Sequence, residues 1–201
     1  WEFDIISKRI IAWISNAKLT HDGADLNYKQ NFNNIIQKQV NHLINEIEKF
    51  KWVDDKMIGC AAIILSGLTY KNNTRYLNYG FNLLKKIIKS SFDSRGFPKS
   101  RSIKQLIFYL QYFVLIREWL KESQSEIPEY INEAIYHLGE SYAFIWQNNK
   151  IDILFNGNHE SNNIEFDGYL KRFGYKFKNK NNEMGGYAIL NNKKISIIMD
   201  I

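Results

Sequence analysis

Apolar residues recur at intervals of three and four through most of this chain, and the spacing predicts six helices. Trp1, Ile5, Ile6, Ile10, Trp13, Ile14 and Ala17 keep a helical stripe through the first segment, and "HDGAD" at 21–25 breaks it. A second helix starts near Asp25 as its cap, with Tyr28, Phe32, Ile35, Ile36, Gln39, Val40, Leu43, Ile47 and Phe50 as its stripe. The third, over about 54–70, is apolar nearly all round and has to be covered on most sides. The fourth covers about 74–92, with Leu77, Phe81, Leu84, Ile87 and Ile88 facing inward. "SIKQLIFYLQYFVLIREWLKE" is a heavily apolar fifth helix, and "SEIPEYINEAIYHLGESYAFIW" a sixth with Pro128 in its first turn.

Short polar links join these helices, and the third and fifth are more apolar than the second and fourth. That alternation predicts hairpins stacked in an inner and an outer layer, as in a helical solenoid or an α/α toroid. No repeat signature of the tetratricopeptide or ankyrin kind is visible, which favours a partial toroid. From Lys178 the pattern turns to β. Residues 186–190 and 194–201 read as two strands joined by Asn191-Asn192. A lone hairpin is marginal in water, so these strands read as the start of a β domain continuing beyond Ile201. The expected organisation is a helical portion over 1–178 and first strands over 179–201. A start at Trp1 with no lead before the first helix reads as an internal piece of a longer protein.

Composition narrows the function classes. The 27 Lys and Arg outnumber 21 Asp and Glu, a net charge of +6 that suits acidic partners: nucleic acid, anionic lipid or an acidic polysaccharide. The Lys-, Asn- and Ile-rich background discounts that excess. Cys60 is the single cysteine and lies in the apolar run "MIGCAAIILSGL", so no disulfide forms within the chain. The longest apolar run is about a dozen residues, short of the ~20 that cross a bilayer, and no signal peptide is visible. His137 and His159 lack spaced metal-ligand partners; no phosphate loop and no nucleophile motif appears, so no cofactor is expected. Trp13, Trp52, Trp119 and Trp146 could stack on sugar rings, although Trp on a helix stripe is more often core.

The candidate chemistry sits in two places. "DSRGFPKSRSIKQL" at 93–106 gathers Arg95, Lys99, Arg101 and Lys104 around a Gly-Phe-Pro turn before an apolar helix. Such a cluster is either a solvated loop or a subsite for sulfate or carboxylate, where Arg makes bidentate contacts. Asn41 and His42 lie at the polar edge of the second helix's stripe. They are either a surface Asn and a half-buried His with ordinary hydrogen bonds or parts of a functional site.

Several of these stretches resemble the heparinase II/III-like polysaccharide lyases. "RIIAWISNA" at 9–17 is similar to the Arg-Leu-Ile-x-Trp helix of bacterial members, and "QVNHLINE" at 39–46 to their Asn-His-Leu helix. "CAAIILSGLTY" resembles the small-residue inner helix that follows, and "DSRGFPKSRSIKQLIFYL" the Asp-Gly-Gly-His-x-x-Arg loop and its helix. "LFNG" at 154–157 and "GGYAIL" at 185–190 resemble the toroid's exit and the first strand of a β-sandwich. The resemblance implies an α/α toroid followed by a β-sandwich, and β-elimination on a uronic-acid polysaccharide in the periplasm or cell envelope. In that reaction a base removes the C5 proton, donors neutralise the uronate carboxylate, and an acid protonates the leaving glycosidic oxygen.

By the same resemblance Asn41 neutralises the carboxylate and His42 is a base or assisting group. Arg101 matches a basic loop position of the divergent bacterial branch, and Arg95, Lys99, Arg101, Lys104 and Tyr109 are the candidate substrate-binding residues. The chain departs from the pattern in the opening loop: the family's Tyr after this loop is replaced by Ile103 or a neighbour, and its loop His by Pro98. Tyr109 and Tyr112 follow on the helix and could serve if they face the cleft. An alternative is a glycan-binding or structural relative without catalysis. A basic helical-repeat protein that binds nucleic acid comes third, since no nucleic-acid motif supports it. The third and fifth helices are expected to expose apolar faces in isolation and to promote aggregation.

Overall fold

The computed structural model describes residues 2–50, 52–70, 74–147, 163–192 and 195–201. The "LFNG" stretch, His159 and Trp1 lie outside these. The chain is mainly helical, with a small antiparallel sheet near its C-terminus. It divides into two compact units, Trp1–Ser90 with Leu115–Glu126, and Ser91–Val114 with Ile127–Ile201.

The first unit holds α1 (Phe3–Ser15), a single turn α2 (Ala17–Thr20), α3 (Leu26–Glu46), α4 (Val53–Thr69) and α5 (Thr74–Ser91, its last residue excepted). Asn16 stops α1 by folding its side-chain amide back onto the Ala12 carbonyl at 2.8 Å. Asp25 caps α3 as its residue type predicts, its carboxylate accepting from the Tyr28 N–H at 2.7 Å. Residues 47–49 tighten into a 3₁₀ turn that buries Ile47.

Helix α4 packs against α1 and α3, and every residue from Met57 to Leu68 is buried. The inner position expected from its all-round apolarity is therefore the observed one. Its partner α5 approaches closely at two glycines. A side chain at Gly67 would collide with the backbone of Leu77, and one at Gly80 with Ile64. The Cys60 thiol donates to the Gly80 carbonyl at 3.2 Å. These pairings run in opposite chain directions, so α4 and α5 form an antiparallel hairpin. The tyrosine hydroxyls of α5 reach back to α3, Tyr76 donating to Asn41 Oδ1 and Tyr79 to the Ile44 carbonyl, each at 3.2 Å.

The face that α5 buries shares Leu84 and Ile87 with the expected one and is turned toward Tyr76, Gly80 and Leu83. Tyr76, Gly80, Leu83, Leu84 and Ile87 are buried, while Leu77, Phe81 and Ile88 are half-buried. The stripe was misplaced because Gly80 carries no apolar signal, yet the close approach to α4 centres on it. On α3, Ile35 stays exposed beside buried Ile36, Val40, Leu43 and Ile44.

Helix α6 (Ile103–Glu122) has residues in both units. It ends in a left-handed Gln124, φ 55°, with the Ser125 N–H donating to the Leu120 carbonyl at 2.9 Å. This is the six-to-one closure of a Schellman cap, with glutamine where glycine is usual.

The second unit contains α7 (Glu129–Tyr142), which passes into a wide π-type turn (Ala143–Gln147), and α8 (Asn163–Arg172). Pro128 precedes the first turn of α7 as its N-cap in an extended conformation, one step outside the expected place. Helix α8 was not anticipated, because Phe166 and Leu170 are too short a stripe to stand out. Asp167 anchors it by accepting from the Tyr142 hydroxyl at 2.8 Å and the Trp146 indole N–H at 3.0 Å. Burial, with help from Asp167, pushes the Tyr142 hydroxyl pKa upward.

Strands β1 (Glu183–Met184), β2 (Tyr187–Asn191) and β3 (Ser196–Asp200) pair antiparallel in that order. The expected hairpin is present as β2 and β3, although Asn191 pairs with Ser196 as the last rung, so the connection begins one residue later. The extra strand β1 folds back through Gly185-Gly186, both at positive φ (61° and 80°). That pair is a two-residue turn whose twist suits the flanking strands. Leu190, Ile197 and Met199 share one face of the sheet and are exposed.

Two predictions follow from the helical packing. Burial pushes the Cys60 thiol pKa upward, so the folded protein should resist thiol reagents at pH 8 and react fully in denaturant. Above the ordinary thiol range near pH ~8.5 the unfolded chain ionises while the folded one does not, so this contribution to stability is present below that pH and is lost as pH rises. Gln124→Gly relieves a left-handed residue and should raise stability by about 0.5–1 kcal/mol in urea unfolding.

Candidate anion-binding cleft

The loop between α5 and α6 closes on itself before it presents any charge. Phe92 and Pro98 pair as an isolated antiparallel bridge. Asp93 Oδ1 accepts from the backbone N–H groups of Arg95 and Phe97, both at 2.8 Å. The Asp93 N–H donates to the Phe97 carbonyl at 2.9 Å, and that of Lys99 to the Ser91 carbonyl at 2.9 Å. An Asp that folds back on the two following amides is a favoured turn device. Gly96 is left-handed at φ 76° and lies against His137, with no space for a β-carbon. Phe97 and Pro98 are buried, while Arg95 and Lys99 remain exposed. The apolar residues plug the loop into the unit and the cations stay outside.

Arg101 occupies a different position. It is left-handed, φ 59°, a conformation that costs a non-glycine residue about 1 kcal/mol. Its Nε donates to the Gly185 carbonyl at 3.2 Å, and its Nη2 to the Gly186 carbonyl and the Asp200 carboxylate. The guanidinium lies over the Tyr187 ring, 5.1 Å from its centroid. The Tyr187 hydroxyl donates at 2.7 Å to the Arg101 carbonyl. A side chain at Gly186 would strike the guanidinium, and one at Gly185 the Phe97 ring. The glycine turn therefore serves two purposes: it supplies positive φ and lets the loop lie directly on the backbone.

The result is an open cleft of about 460 Å³ lined by Asp93, Ser94, Arg95, Pro98, Lys99, Arg101 and the two glycines. Three cations line the cleft, Arg101 already paired with Asp200; Arg95 and Lys99 face the Asp93 carboxylate, one oxygen of which takes two amide hydrogens. The balance suits a carboxylate, sulfate or phosphate group.

Of the expected substrate-binding residues, the structure brings Arg95, Lys99 and Arg101 together, with Arg101 committed to internal contacts. Lys104 is exposed on the first turn of α6 and does not line the cleft. Tyr109 is 1% exposed and sits edge-on to Phe92 at 4.9 Å. It belongs to the core, because the turn that buries Phe92 puts that ring against α6, and it cannot reach a ligand in the cleft. Tyr112 is half-buried and lies tilted against Phe108, their ring centroids 4.9 Å apart.

Asn41 and His42 belong to the first unit, both exposed on α3. Asn41 is held by the Tyr76 hydroxyl, and the His42 ring is 5.9 Å from that of Phe3. Glu46, one turn further, has its carboxyl pKa lowered chiefly by a hydrogen bond from Lys49, with a small share from His42. Trp13 lies beneath the Arg9 guanidinium, Trp52 is exposed, and Trp146 is bonded to Asp167 in the core. Among the described residues no group of His, Cys, Asp and Glu could hold a metal, and no helix is long and apolar enough to cross a membrane.

Sequence reasoning missed Gly185, Gly186, Tyr187 and Asp200 as parts of this site. The Gly-Gly pair before a strand was a usable turn signal; nothing local marks Asp200 as the partner of a residue 99 positions earlier. Comparison with protein-family models, with curated proteins and with solved structures finds no match in any of the three.

Replacing Arg101 separates its two roles. Arg101→Ala should lower stability by about 2 kcal/mol through loss of charged hydrogen bonds to two carbonyls. Arg101→Gly should recover about 1 kcal/mol of that loss by relieving the left-handed backbone. Urea unfolding of the two variants beside the parent checks the order.

Proposed function

We propose that this chain binds an acidic polysaccharide through the basic cleft, as part of a protein built like the heparinase II/III-like lyases. The observation that carries this reading is the delivery of Arg95, Lys99 and Arg101 to one cleft by a loop held rigidly by Asp93 and the glycine turn. A cleft ordered before binding loses little entropy when an anionic group enters. The antiparallel hairpin of α4 and α5, with α4 wholly buried, supports reading the helices as part of an α/α toroid. The exposed apolar face carried by Leu190, Ile197 and Met199 supports reading the sheet as one layer of a β-sandwich. The resemblance further suggests a periplasmic or envelope location.

Within this reading the reaction is β-elimination. Asn41 would neutralise the uronate carboxylate, and His42 would take the C5 proton as the C4–oxygen bond breaks and the C4–C5 double bond forms, the leaving oxygen taking its proton from His42 or from water. A second reading is glycan binding without chemistry. It is favoured by the burial of Tyr109 and by the lack of any tyrosine over 98–105, which leave no evident acid in this stretch.

One experiment separates them. The protein is incubated with hyaluronan, heparan sulfate, alginate and neutral dextran while binding and ultraviolet absorbance of an unsaturated uronate are followed. Binding to the acidic chains should weaken about tenfold in the double variant Arg95→Ala, Lys99→Ala, and should fall with added salt. Product that vanishes in Asn41→Ala and His42→Ala establishes elimination; binding without product establishes the second reading. Equal binding to dextran, or affinity unchanged in the double variant, overturns both.

A further inference from the structure

The second unit contains another pocket, of opposite character. About 310 Å³ in volume, it is lined by Ile107 and Gln111 of α6 and by Glu165, Phe166 and Tyr169 of α8. Among the described residues its walls are aromatic and aliphatic, and its polar groups are the Gln111 carboxamide, the Glu165 carboxylate and the buried Tyr169 hydroxyl. We propose that this pocket binds a single neutral sugar ring, a role independent of the basic cleft and of the elimination reading.

The rings are fixed in place. Phe166 and Tyr169 lie nearly parallel, 14° apart with centroids 5.9 Å apart. Tyr169 is buttressed by Phe173 at 5.1 Å and Phe166 by Tyr142 at 5.2 Å. The helix that carries them is pinned through Asp167 by Tyr142 and Trp146. Phe166 is only 7% exposed, so Tyr169, which is half-buried, offers the larger ring surface. A rigid aromatic face is suited to the C–H face of a pyranose, whose desolvation drives stacking while its hydroxyls point to the rim.

The polar pair selects the ligand class. Gln111 both donates and accepts, Glu165 accepts, and both are exposed side chains at the pocket. Sugar hydroxyls donate and accept, so they satisfy the two together. An alkylammonium ion offers donors only, so it leaves the Gln111 amide hydrogens without an acceptor on the ligand. Among the described lining residues Glu165 carries the only charge, so a uronate or sulfated sugar would bring a second negative charge beside it. The pocket therefore rejects the anionic groups that the basic cleft accepts, which assigns it a neutral sugar.

The test is ligand-observed saturation-transfer NMR on the whole protein with methyl β-glucopyranoside, methyl β-galactopyranoside, glucuronate and butylammonium as probes. At least one neutral glycoside should show transfer that is unchanged between low and high salt, whereas polyanion binding at the basic cleft is salt-sensitive. Glu165→Gln, an exposed substitution that preserves the fold, should weaken it about tenfold, as expected for loss of a charge-assisted hydrogen bond. Gln111→Ala should weaken it further, and Tyr169→Ala should abolish it, with thermal melting confirming that each variant is folded. Absence of transfer from both neutral glycosides overturns the proposal. So does transfer unaffected by both Glu165→Gln and Gln111→Ala, or preferential binding of glucuronate or butylammonium. None of these outcomes depends on whether the acidic polysaccharides bind.

Discussion

The guanidinium of Arg101 is the contact on which the architecture of the basic cleft depends. It joins residues far apart in sequence: the loop after α5, the Gly185-Gly186 turn and the end of β3 at Asp200. Each partner is shaped to receive it. The glycines leave the approach open, Tyr187 lies beneath it, and the backbone at Arg101 takes a left-handed turn so that its carbonyl meets the Tyr187 hydroxyl. Arg rather than Lys suits this place, because a planar fork can serve two carbonyls and a carboxylate at once. The consequence for function is a division of labour in which Arg101 orders the wall and Arg95 and Lys99 present the more exposed charge.

A comparable economy of contacts holds the helices of the first unit. Helix α4 has no polar face to turn outward, and its burial is made possible by glycines that bring α5 within backbone distance. The polar atoms that the close approach would strand are partnered: the Cys60 thiol on a carbonyl, and the Ser66 hydroxyl on the Ala62 carbonyl within its own helix. On the other side, tyrosines of α5 reach polar atoms of α3, which fixes Asn41 at the surface and leaves His42 beside it on the same exposed edge.

The two pockets of the second unit show how one small unit can hold sites of contrasting chemistry. One is bounded by cations on a loop closed by backbone hydrogen bonds, the other by aromatic rings on a helix pinned through Asp167. The contrast comes from side-chain chemistry at a few positions rather than from the backbone alone.

Much of the helical frame was legible in the chain. Four of the six expected helices start and end within about two residues of the expected bounds, and Asp25 caps α3, because apolar spacing and cap chemistry act locally. The basic loop was likewise visible as a cluster, and the strand-forming tail as a hairpin. Other features needed the fold. Gly80 is silent in a hydrophobic pattern, yet it marks where α5 meets α4. Tyr109 reads as well for a cleft as for a core, and only its packing on Phe92 decides. Asp200 and the glycine turn join Arg101 across nearly half the chain, a pairing that no local signal contains. The sequence by itself determined which segments are helical and where positive charge collects, since both follow from neighbouring residues. Tertiary structure decided which cations share a cleft and which tyrosines are buried, because those depend on surfaces brought together from distant parts of the chain.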